Sequence, residues 1–353
     1  MTAHHSNFAA TKFARQLRGL QYVSRFPAIQ MTSQMRAGGC ERQGRLVEHM
    51  TSTGTIPDLM TGEFAIKTLS NASTPMDIER FRFAPIITAT NKRRREINFR
   101  QAQSFAATHG LPVVVWKKLL QKRDAESPDV LDALGDPSSM YYGMFVFGAS
   151  AQMICNVVPH LSIANGTGAT MHSLTWHDRA IGHAMRQKIL ATPPGRIVEV
   201  VIPDFVNVVI KSTHELPLPP LEPTHPLFDD TAAAKQQKQF VFPMQRWKVR
   251  AAKKKNKTIT MPAHEGHQLE LGFAFTFHKV QGATLAQLIL DLNFKPSNLA
   301  TFSAVYVGLT RVKSFDDIRL LPVLSVKMRE KLAELRFDPH LRDWLEDLEN
   351  HES

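Results

Sequence analysis

Short apolar runs separated by polar turns predict several buried strands in the chain. The segments 84–90, 273–277 and 288–290 are apolar or rich in β-forming residues, and they are too short for helices. The second of these runs ends abruptly in a basic and polar turn, from His278 to Gly282. Because α/β proteins bind ligands where their strands end, this turn is a candidate binding site.

Other stretches repeat their apolar positions with a helical period. The clearest stretch has apolar residues at spacings of three, four and three, namely Phe302, Val305, Leu309 and Val312. Asn91 is a good N-cap, so a second helix is expected from there to about Ala107. Further helices are expected within residues 12–20 and 45–50, and a terminal helix from Lys327 to Leu348.

The middle of the chain is typical of β structure. Apolar stretches alternate with turn signals from Phe145 to Trp176, notably at Asn165-Gly166, which predicts a β-hairpin meander. Strands are also expected at residues 196–210 and 240–250, with a proline-rich loop between them. We therefore expect the middle of the chain to be rich in β structure.

The composition is that of a folded protein, and its charge favours an anionic partner. A chain of 353 residues is long enough for more than one domain. Its hydrophobic fraction of 43% is typical of a folded protein. No run approaches the ~20 apolar residues of a membrane span, and the first residues do not form a signal peptide. The net charge of +11 favours nucleic acid, with a solvated basic surface as the alternative. Neither the two cysteines nor the histidines have metal-ligand spacing, so no metal site is expected.

Two further groups of residues are candidates for phosphate binding. Ala304, Gly308 and Arg311 share one face of the helix predicted at 302–312, where two small residues leave room for a close approach. The planar guanidinium is suited to phosphate. The first turn of the helix at Asn91 carries the basic run Lys92–Arg95, beside a helix N-terminus that attracts anions. The alternatives for this run are a solvated turn or a nuclear-import signal.

Two of these stretches together resemble signature motifs of DNA helicases. Residues 276–285, TFHKVQGATL, are similar to the T-[IF]-H-K-x-Q-G-x-T-L block, and residues 306–312, YVGLTRV, to the Y-V-[AG]-L-[ST]-R-[VT] block. These are motifs V and VI of superfamily-one helicases in the Pif (petite integration frequency) and RecD-like branch, which includes Helitron-type members. One block alone would be weak evidence for the family, but both blocks in the right order make the resemblance specific.

Weaker similarities extend from about Phe13 to Pro322. Residues 29–39 resemble the motif IV block of this family, residues 84–98 the start of its second RecA-like domain, and residues 145–176 the start of an SH3-like insertion. The resemblance implies an α/β fold with a RecA-like parallel sheet of the P-loop-NTPase type and a β-rich SH3-like insertion. It implies connecting helices at 1–78, RecA-like parts at 79–143 and 269–325, the insertion at 144–268, and a C-terminal helix at 326–353.

The resemblance also implies roles for individual residues. The catalytic residues would be Arg311 and Arg36, which stabilise the charge of the transferring phosphate. The nucleotide-binding residues would be Gly282, Gln281, Asn91 and Arg94. The DNA-binding residues would be Thr276, His278, Lys279 and Lys254. The alternatives are structural turn contacts for the residues of motif V, and solvated surface positions for Arg36 and Lys254.

One part of such an enzyme has no counterpart in the sequence. There is no Gly-Lys dipeptide, hence no P-loop, and no Asp-Glu pair after an apolar run to hold magnesium. We expect the chain to be the half of a helicase that follows the first RecA-like domain, and to need that domain for ATP and Mg²⁺. The joined protein would unwind DNA by ATP hydrolysis while moving from five-prime to three-prime on a single strand, with single-stranded or forked DNA as its partner. It would act in repair and recombination, in the nucleus or otherwise the cytoplasm. The alternative is a transposon-derived or truncated remnant that binds single-stranded nucleic acid.

Overall fold

The structure, a computed structural model, describes most of the chain. The described residues are 39–70, 73–120, 128–161, 163–231, 234, 236–249, 252–253, 259–261, 263–293, 301–322 and 326–338. The helices within them are α1 (Glu41–Thr53), α2 (Pro75–Phe81), α3 (Asn91–Thr108), α4 (Pro128–Ala133), α5 (Arg179–Leu190), α6 (Phe302–Leu309) and α7 (Val326–Glu334). Short 3-10 turns lie at Pro159–Leu161, Phe277–Val280 and Phe315–Asp317.

The strands are short, and they follow the apolar runs of the sequence. In chain order they are β1 (Ile86–Thr88), β2 (Val113–Lys117), β3 (Leu119–Leu120), β4 (Tyr142–Phe145), β5 (Ser150–Met153), β6 (Gly168–Thr175), β7 (Ile197–Glu199), β8 (Phe205–Ser212), β9 (Lys238–Val249), β10 (Ala252–Lys253), β11 (Ile259–Met261), β12 (His264–His267), β13 (Leu269–Leu271), β14 (Ala274–Thr276), β15 (Leu288–Leu290) and β16 (Ile318–Leu320).

Four of these strands form a parallel sheet in the order β14-β1-β15-β16. Ile86 lies opposite Ala274 on one side and Ile289 on the other. Successive residues of the strands enter two different apolar clusters: Ile86 packs with Ile97 of α3, whereas Ile87 packs with residues of α1 and α6. Helices therefore cover both faces of the sheet, which explains why its strands are almost entirely apolar.

The remaining strands form a larger antiparallel sheet and two smaller sheets. Seven strands pair in the order β13-β5-β6-β8-β9-β12-β3, and every neighbouring pair is antiparallel. A separate sheet has the order β4-β2-β7, and β10 pairs with β11. The fold class predicted from the sequence is confirmed: the chain is mixed α/β, with a parallel sheet and an antiparallel, β-rich sheet.

The two main sheets meet at one glycine, just before the candidate site. Strand β13 pairs with β5 in the antiparallel sheet, and β14 pairs with β1 in the parallel sheet. Only Gly272 and Phe273 separate them. A Cβ atom at Gly272 would lie 2.6 Å from Oγ of Ser150, so any other residue at this crossing would require Ser150 to move. This crossing fixes the direction in which the chain enters the loop at His278.

The helix predictions were right in place and partly wrong in extent. Helix α3 begins at Asn91, but its N-cap is Thr90, whose hydroxyl accepts a hydrogen bond of 3.2 Å from the backbone N–H of Arg93. The terminal helix ends at Glu334, not at Leu348, and Arg336 then forms a β-bridge with Thr55. Pro339 is incompatible with the interior of a continuous helix at this point. The expected helix at 12–20 and the rest of the terminal prediction lie outside the described residues.

Two features of the β-rich region differ from the prediction. The single strand expected at 196–210 is two strands, β7 and β8, which belong to different sheets and flank Pro203. Helix α5 was not predicted at all. Its signal was Asp178, whose carboxylate accepts hydrogen bonds from the N–H groups of Ala180 and Ile181. The strand at 240–250 and the turn at Gly166, which has φ 95°, are confirmed.

Candidate functional site

The loop of residues 278–282, called here the HKVQG loop, starts where β14 ends. Phe277 just before the loop and Val280 within it are buried in the core of the parallel sheet, and they hold the 3-10 turn in place. His278, Gln281 and Gly282 are exposed. Gly282 has φ 83°, a left-handed conformation that residues with a Cβ atom rarely adopt. The loop thus presents polar side chains and backbone on a rigid base.

Arg311 follows α6 and is bound to the segment after the HKVQG loop. The backbone N–H of Leu285 donates to the carbonyl of Arg311 over 2.8 Å. The guanidinium donates from Nη2 to Oγ1 of Thr310 at 2.8 Å and from Nη1 to the carbonyl of Ala283 at 3.5 Å. Arg311 is only 8% exposed. The residues of the two helicase-like blocks, far apart in sequence, therefore lie together.

The small residues of α6 have a different role from the one predicted. The sequence suggested that Ala304 and Gly308 leave an open face for another body. Both are buried within this chain, and a Cβ atom at Gly308 would lie 2.7 Å from the ring of Phe277 and 3.0 Å from Leu290. Gly308 instead allows α6 to pack closely against the 3-10 turn that carries the HKVQG loop.

Helix α1 supports Arg311 from the other side. Gln43 is 1% exposed, and its amide donates to the carbonyl of Leu309 at 2.8 Å. Sγ of Cys40 accepts a hydrogen bond from the backbone N–H of Phe315 at 3.5 Å. These contacts hold the chain before and after Arg311. Two predicted site residues, Arg36 and Lys254, lie outside the described residues.

A second group of charges surrounds a cavity of about 440 Å³ between the two sheets, called here the basic pocket. Its charged lining residues are Arg94 and Arg95 of α3, Lys118 between β2 and β3, Glu270 of β13, and Lys279 of the HKVQG loop. Four of these five side chains are cationic. Asn91 also lines the cavity, so three of the predicted site residues share it.

Glu270 is the carboxylate partner of two of these cations. Arg94 is 4% exposed and donates from Nη2 to Oε1 of Glu270 at 2.8 Å, with a second bond from Nη1 to Oε2. Nζ of Lys279 donates to Oε2 of the same carboxylate at 2.5 Å. Glu270 therefore links α3 to the HKVQG loop.

Burial changes the acid–base behaviour of these cations. Desolvation, with a smaller contribution from Arg94, lowers the pKa of Lys279 to about 8. Desolvation also lowers the pKa of Lys118 to about 8, and the nearby Arg95 and Arg94 add to this effect. The pKa of Arg94 falls to about 10, chiefly through burial. The pocket is therefore an environment in which positive charge is costly without an anion.

The structure brings some predicted residues together and separates others. Gly282 and Gln281 lie on the HKVQG loop, whose following segment binds Arg311, whereas Asn91, Arg94 and Lys279 line the basic pocket. Thr276 is 9% exposed, and His278 is exposed. Lys118 and Glu270 were missed because neither belongs to a recognisable motif. The only signal for Lys118 was a basic residue at the end of an apolar run.

Asp291 at the end of β15 has a structural partner. Its carboxylate is fully buried and accepts from Nε of Arg93 at 3.0 Å and from the backbone N–H of Asn293 at 3.1 Å. Arg93 also lies 3.6 Å from Glu96. One arginine of the basic turn at 92–95 is thus occupied in joining α3 to the parallel sheet.

The described part of the chain lacks two other kinds of feature. It contains no group of three or more His, Cys, Asp or Glu side chains arranged to hold a metal ion. None of its helices is long and apolar enough to cross a membrane.

Comparison with known proteins finds structural similarity only. No family model and no curated protein matches the chain. The crystal structure of Pif1 helicase from Candida albicans is 16% identical with a TM-score of 0.45, covering 89% of this chain and 59% of that one. Pif1 from Bacteroides in complex with ADP-AlF3 and ssDNA is 13% identical with a TM-score of 0.49, covering 92% and 57%. A structure of two Pif1 helicases at forked dsDNA is 12% identical with a TM-score of 0.46, covering 88% and 52%.

The chain thus spans between half and three fifths of the length of these helicases. It is a mixed α/β protein in which a four-stranded parallel sheet is joined to a seven-stranded antiparallel sheet.

Proposed function

We propose that the chain is the C-terminal part of an ATP-dependent DNA helicase that moves from five-prime to three-prime on single-stranded or forked DNA. It would act when joined to a first RecA-like domain that carries the P-loop and holds ATP and Mg²⁺. One observation carries this proposal: Arg311 is hydrogen-bonded to the segment that follows the exposed HKVQG loop. Two helicase-like blocks of the sequence therefore form one surface.

The residues of this surface suit the charge that develops during phosphoryl transfer. Negative charge spreads over the γ-phosphate oxygens in the transition state, and fixed positive charge stabilises it. The bonds from Arg311 to Thr310 and Ala283 restrict the guanidinium before any substrate arrives. In this proposal Gln281 and the backbone at Gly282 contact the phosphates, and Arg36 supplies a second guanidinium.

The DNA would bind along the other side of the HKVQG loop. His278 is exposed, and Lys279 faces the basic pocket with Asn91 and Arg94. The sequence resemblance implies that Asn91 and Arg94 bind nucleotide, whereas their place beside Lys279 favours a DNA phosphate as their ligand. Thr276 and Lys254 complete the proposed set of DNA contacts.

The test is an ATPase measurement on the chain joined to a first RecA-like domain from a Pif-family relative. We expect the joined protein to hydrolyse ATP faster when single-stranded DNA is present. The chain by itself should show no turnover, because its sequence supplies no P-loop for the β-phosphate. Turnover by the chain alone, or a joined protein that folds but ignores DNA, would contradict the proposal.

A second candidate is a non-catalytic remnant that binds single-stranded nucleic acid. It is favoured by the absence of any Gly-Lys dipeptide together with the cation excess of the basic pocket. The genomic DNA upstream of Met1 separates the two candidates. A P-loop in the same reading frame would support the helicase, and its absence would support the remnant.

A further inference from the structure

The basic pocket holds more positive charge than its one carboxylate can pair. Four cations, Arg94, Arg95, Lys118 and Lys279, line the cavity with Glu270, which leaves a surplus of three positive charges among these residues. Glu270 receives bonds from Arg94 and Lys279. A buried or half-buried cation destabilises the folded protein unless a nearby anion compensates its charge. The surplus charge therefore favours the binding of an anion.

Two of the four cations are not bonded to Glu270. The side chains of Arg95 and Lys118 form no ion pair or hydrogen bond with another described residue, although both are partly buried. Arg95 is attracted by Glu96 and Asp136 without contacting either carboxylate. Nε of Arg94, in a side chain only 4% exposed, also lacks an acceptor among the described residues. Donors at three points around one cavity can bind the several oxygens of a single phosphate group.

A glycine in the neighbouring strand leaves space for the side chain of Lys118. Its aliphatic stem crosses β12 at Gly266, where a Cβ atom would lie 3.0 Å from Cγ and 3.1 Å from Cδ of the lysine. Any larger residue at Gly266 would displace the stem. The stem of this lysine is thus packed against β12, and the residue lines the cavity. A flexible surface lysine would not need such accommodation.

The rest of the lining suits a nucleotide unit more than a bare anion. Apolar side chains of Met140, Met144 and Ile154 lie in the same cavity as the amides of Asn165 and Gln268. Apolar surface can pack against a base or sugar, and amides can hydrogen-bond to them. These residues come from the antiparallel sheet and its loops, whereas the arginines come from α3.

We propose that the basic pocket binds a phosphate of a nucleic-acid strand, and that Glu270 occupies the place of this phosphate in the free protein. The inference rests on the proposed function, because it takes the strand to be the ligand. The Glu270 carboxylate bridges Arg94 and Lys279 as a phosphate would, and so acts as an internal competitor. The strand binds when a phosphate takes over some of these donors and engages Lys118 and Arg95.

This arrangement predicts opposite effects for two neutralising substitutions. Lys118→Gln should weaken the binding of a fluorescein-labelled single-stranded oligonucleotide about fivefold at low salt, because it removes one phosphate contact. Glu270→Gln should strengthen binding about fivefold, because it removes the competing carboxylate. Fluorescence anisotropy of the whole chain measures both effects, and inorganic pyrophosphate serves as a competitor that carries phosphate without a base.

The chain offers a matched control for each variant. Lys117 is adjacent to Lys118, is exposed and lies 3.5 Å from Glu199, so Lys117→Gln changes the same charge outside the pocket. Glu265 is 27% exposed and lies 3.5 Å from Arg246, while Glu270 is 26% exposed. Glu265→Gln therefore removes a comparable ion-paired carboxylate elsewhere. Both controls should bind the oligonucleotide within about twofold of the parent chain.

Each outcome decides the proposal. If Lys118→Gln and Glu270→Gln behave like their controls, the pocket is not the phosphate site, although oligonucleotide binding by the parent chain would leave the helicase proposal intact. If Glu270→Gln weakens binding while it melts like the parent chain, Glu270 is only a structural link. If Glu270→Gln does not fold, the comparison of Lys118→Gln with Lys117→Gln decides alone.

The competition experiment gives an independent result. Pyrophosphate that competes equally against the parent chain and Lys118→Gln would overturn the proposal, as would a parent chain that binds no strand.

Discussion

The HKVQG loop and the basic pocket are neighbours that share Lys279, yet they are organised on opposite principles. Around the loop, Arg311 is hydrogen-bonded to Thr310 and Ala283, and the loop is anchored by buried Phe277 and Val280. Its geometry is set before a ligand arrives. In the pocket, the one lining carboxylate pairs with only two of the four cations, so positive charge is left for a ligand to compensate.

The difference shows what each region can contribute. A preorganised loop adds little to ground-state affinity, and it is suited to charge that exists only in a transition state. A pocket with surplus charge gives affinity, and that affinity depends on salt and pH. We therefore expect substitutions at the loop to change turnover and substitutions in the pocket to change binding.

The largest expected effect is on turnover, from Arg311→Lys in the chain joined to a first RecA-like domain. Lysine keeps the charge but cannot reproduce the planar fork of two donors. We expect kcat to fall about 10³-fold, with ATP and DNA affinity almost unchanged, because the contact forms mainly in the transition state. Steady-state ATPase assays with single-stranded DNA measure this.

The matched control is Arg319→Lys. Arg319 of β16 is also a buried arginine, 4% exposed, and it donates to Asp77 of α2 at 2.7 Å. Its substitution should affect stability and leave kcat within a few-fold of the parent. If both variants lower kcat equally, Arg311 is a structural residue and the contrast between loop and pocket is lost.

The second effect is the salt dependence of strand binding, which probes the pocket. If each of the four cations neutralises one phosphate, counting the phosphate that displaces Glu270 and its neighbours along the strand, affinity for a single-stranded oligonucleotide should fall about 50-fold between about 50 mM and about 200 mM salt. Lys118→Gln should make the logarithmic slope shallower by about 0.7, and Arg311→Lys should leave it unchanged. Anisotropy titrations at several salt concentrations give the slopes. A slope that changes with Arg311 rather than Lys118 would reverse the assignment of the two regions.

The motif residues and the pocket residues differ in how far sequence alone could find them. The blocks at 276–285 and 306–312 are local patterns, so they predicted the HKVQG loop and its partner arginine. The pocket joins Arg94, Lys118 and Glu270, which are separated by up to 176 positions and meet only because β13 crosses from one sheet towards the other. Local periodicity carries no information about such a meeting.

The role of Gly308 shows the same limit on a smaller scale. Its small size was visible in the sequence, but the partner that required it was not. Phe277 and Leu290 fill that space from within the chain. The fold class, by contrast, could be predicted, because apolar runs of strand length and a helical period are properties of consecutive residues.

The third effect is the pH dependence of binding. Lys118 and Lys279 have pKa values near 8 in the free protein, through burial and the nearby arginines. Their charge is present at pH 7 and is mostly lost at pH 9, so oligonucleotide affinity should fall about tenfold over this range. Arg94, with a pKa of about 10, stays mostly charged over this range. In Lys118→Gln the fall should be clearly smaller.

Stability changes in the opposite direction and serves as the control. The folded pKa of these lysines lies below their value of 10.5 in the unfolded chain, so the unfolded chain binds more protons between pH 8 and 10.5. These groups therefore stabilise the folded protein as pH rises through that window. Urea unfolding at pH 7 and pH 9 distinguishes lost charge from lost structure. Binding that is flat across this range would mean that the lysines do not contact the strand.

The smallest effect concerns the backbone of the HKVQG loop. Gly282 has φ 83°, and a Cβ atom there would meet no heavy atom within 4 Å, so an added methyl group would cost conformational energy without a clash. Gly282→Ala should lower the free energy of unfolding by about 1 kcal/mol, and Gly282→Asn by less, because Asn tolerates the left-handed region better. Urea titrations measure both values. Oligonucleotide binding to the basic pocket should be unchanged in both variants, since no charge is altered. An alanine variant as stable as the parent chain would mean that the loop has no fixed conformation, and the preorganisation that separates it from the pocket would then be absent.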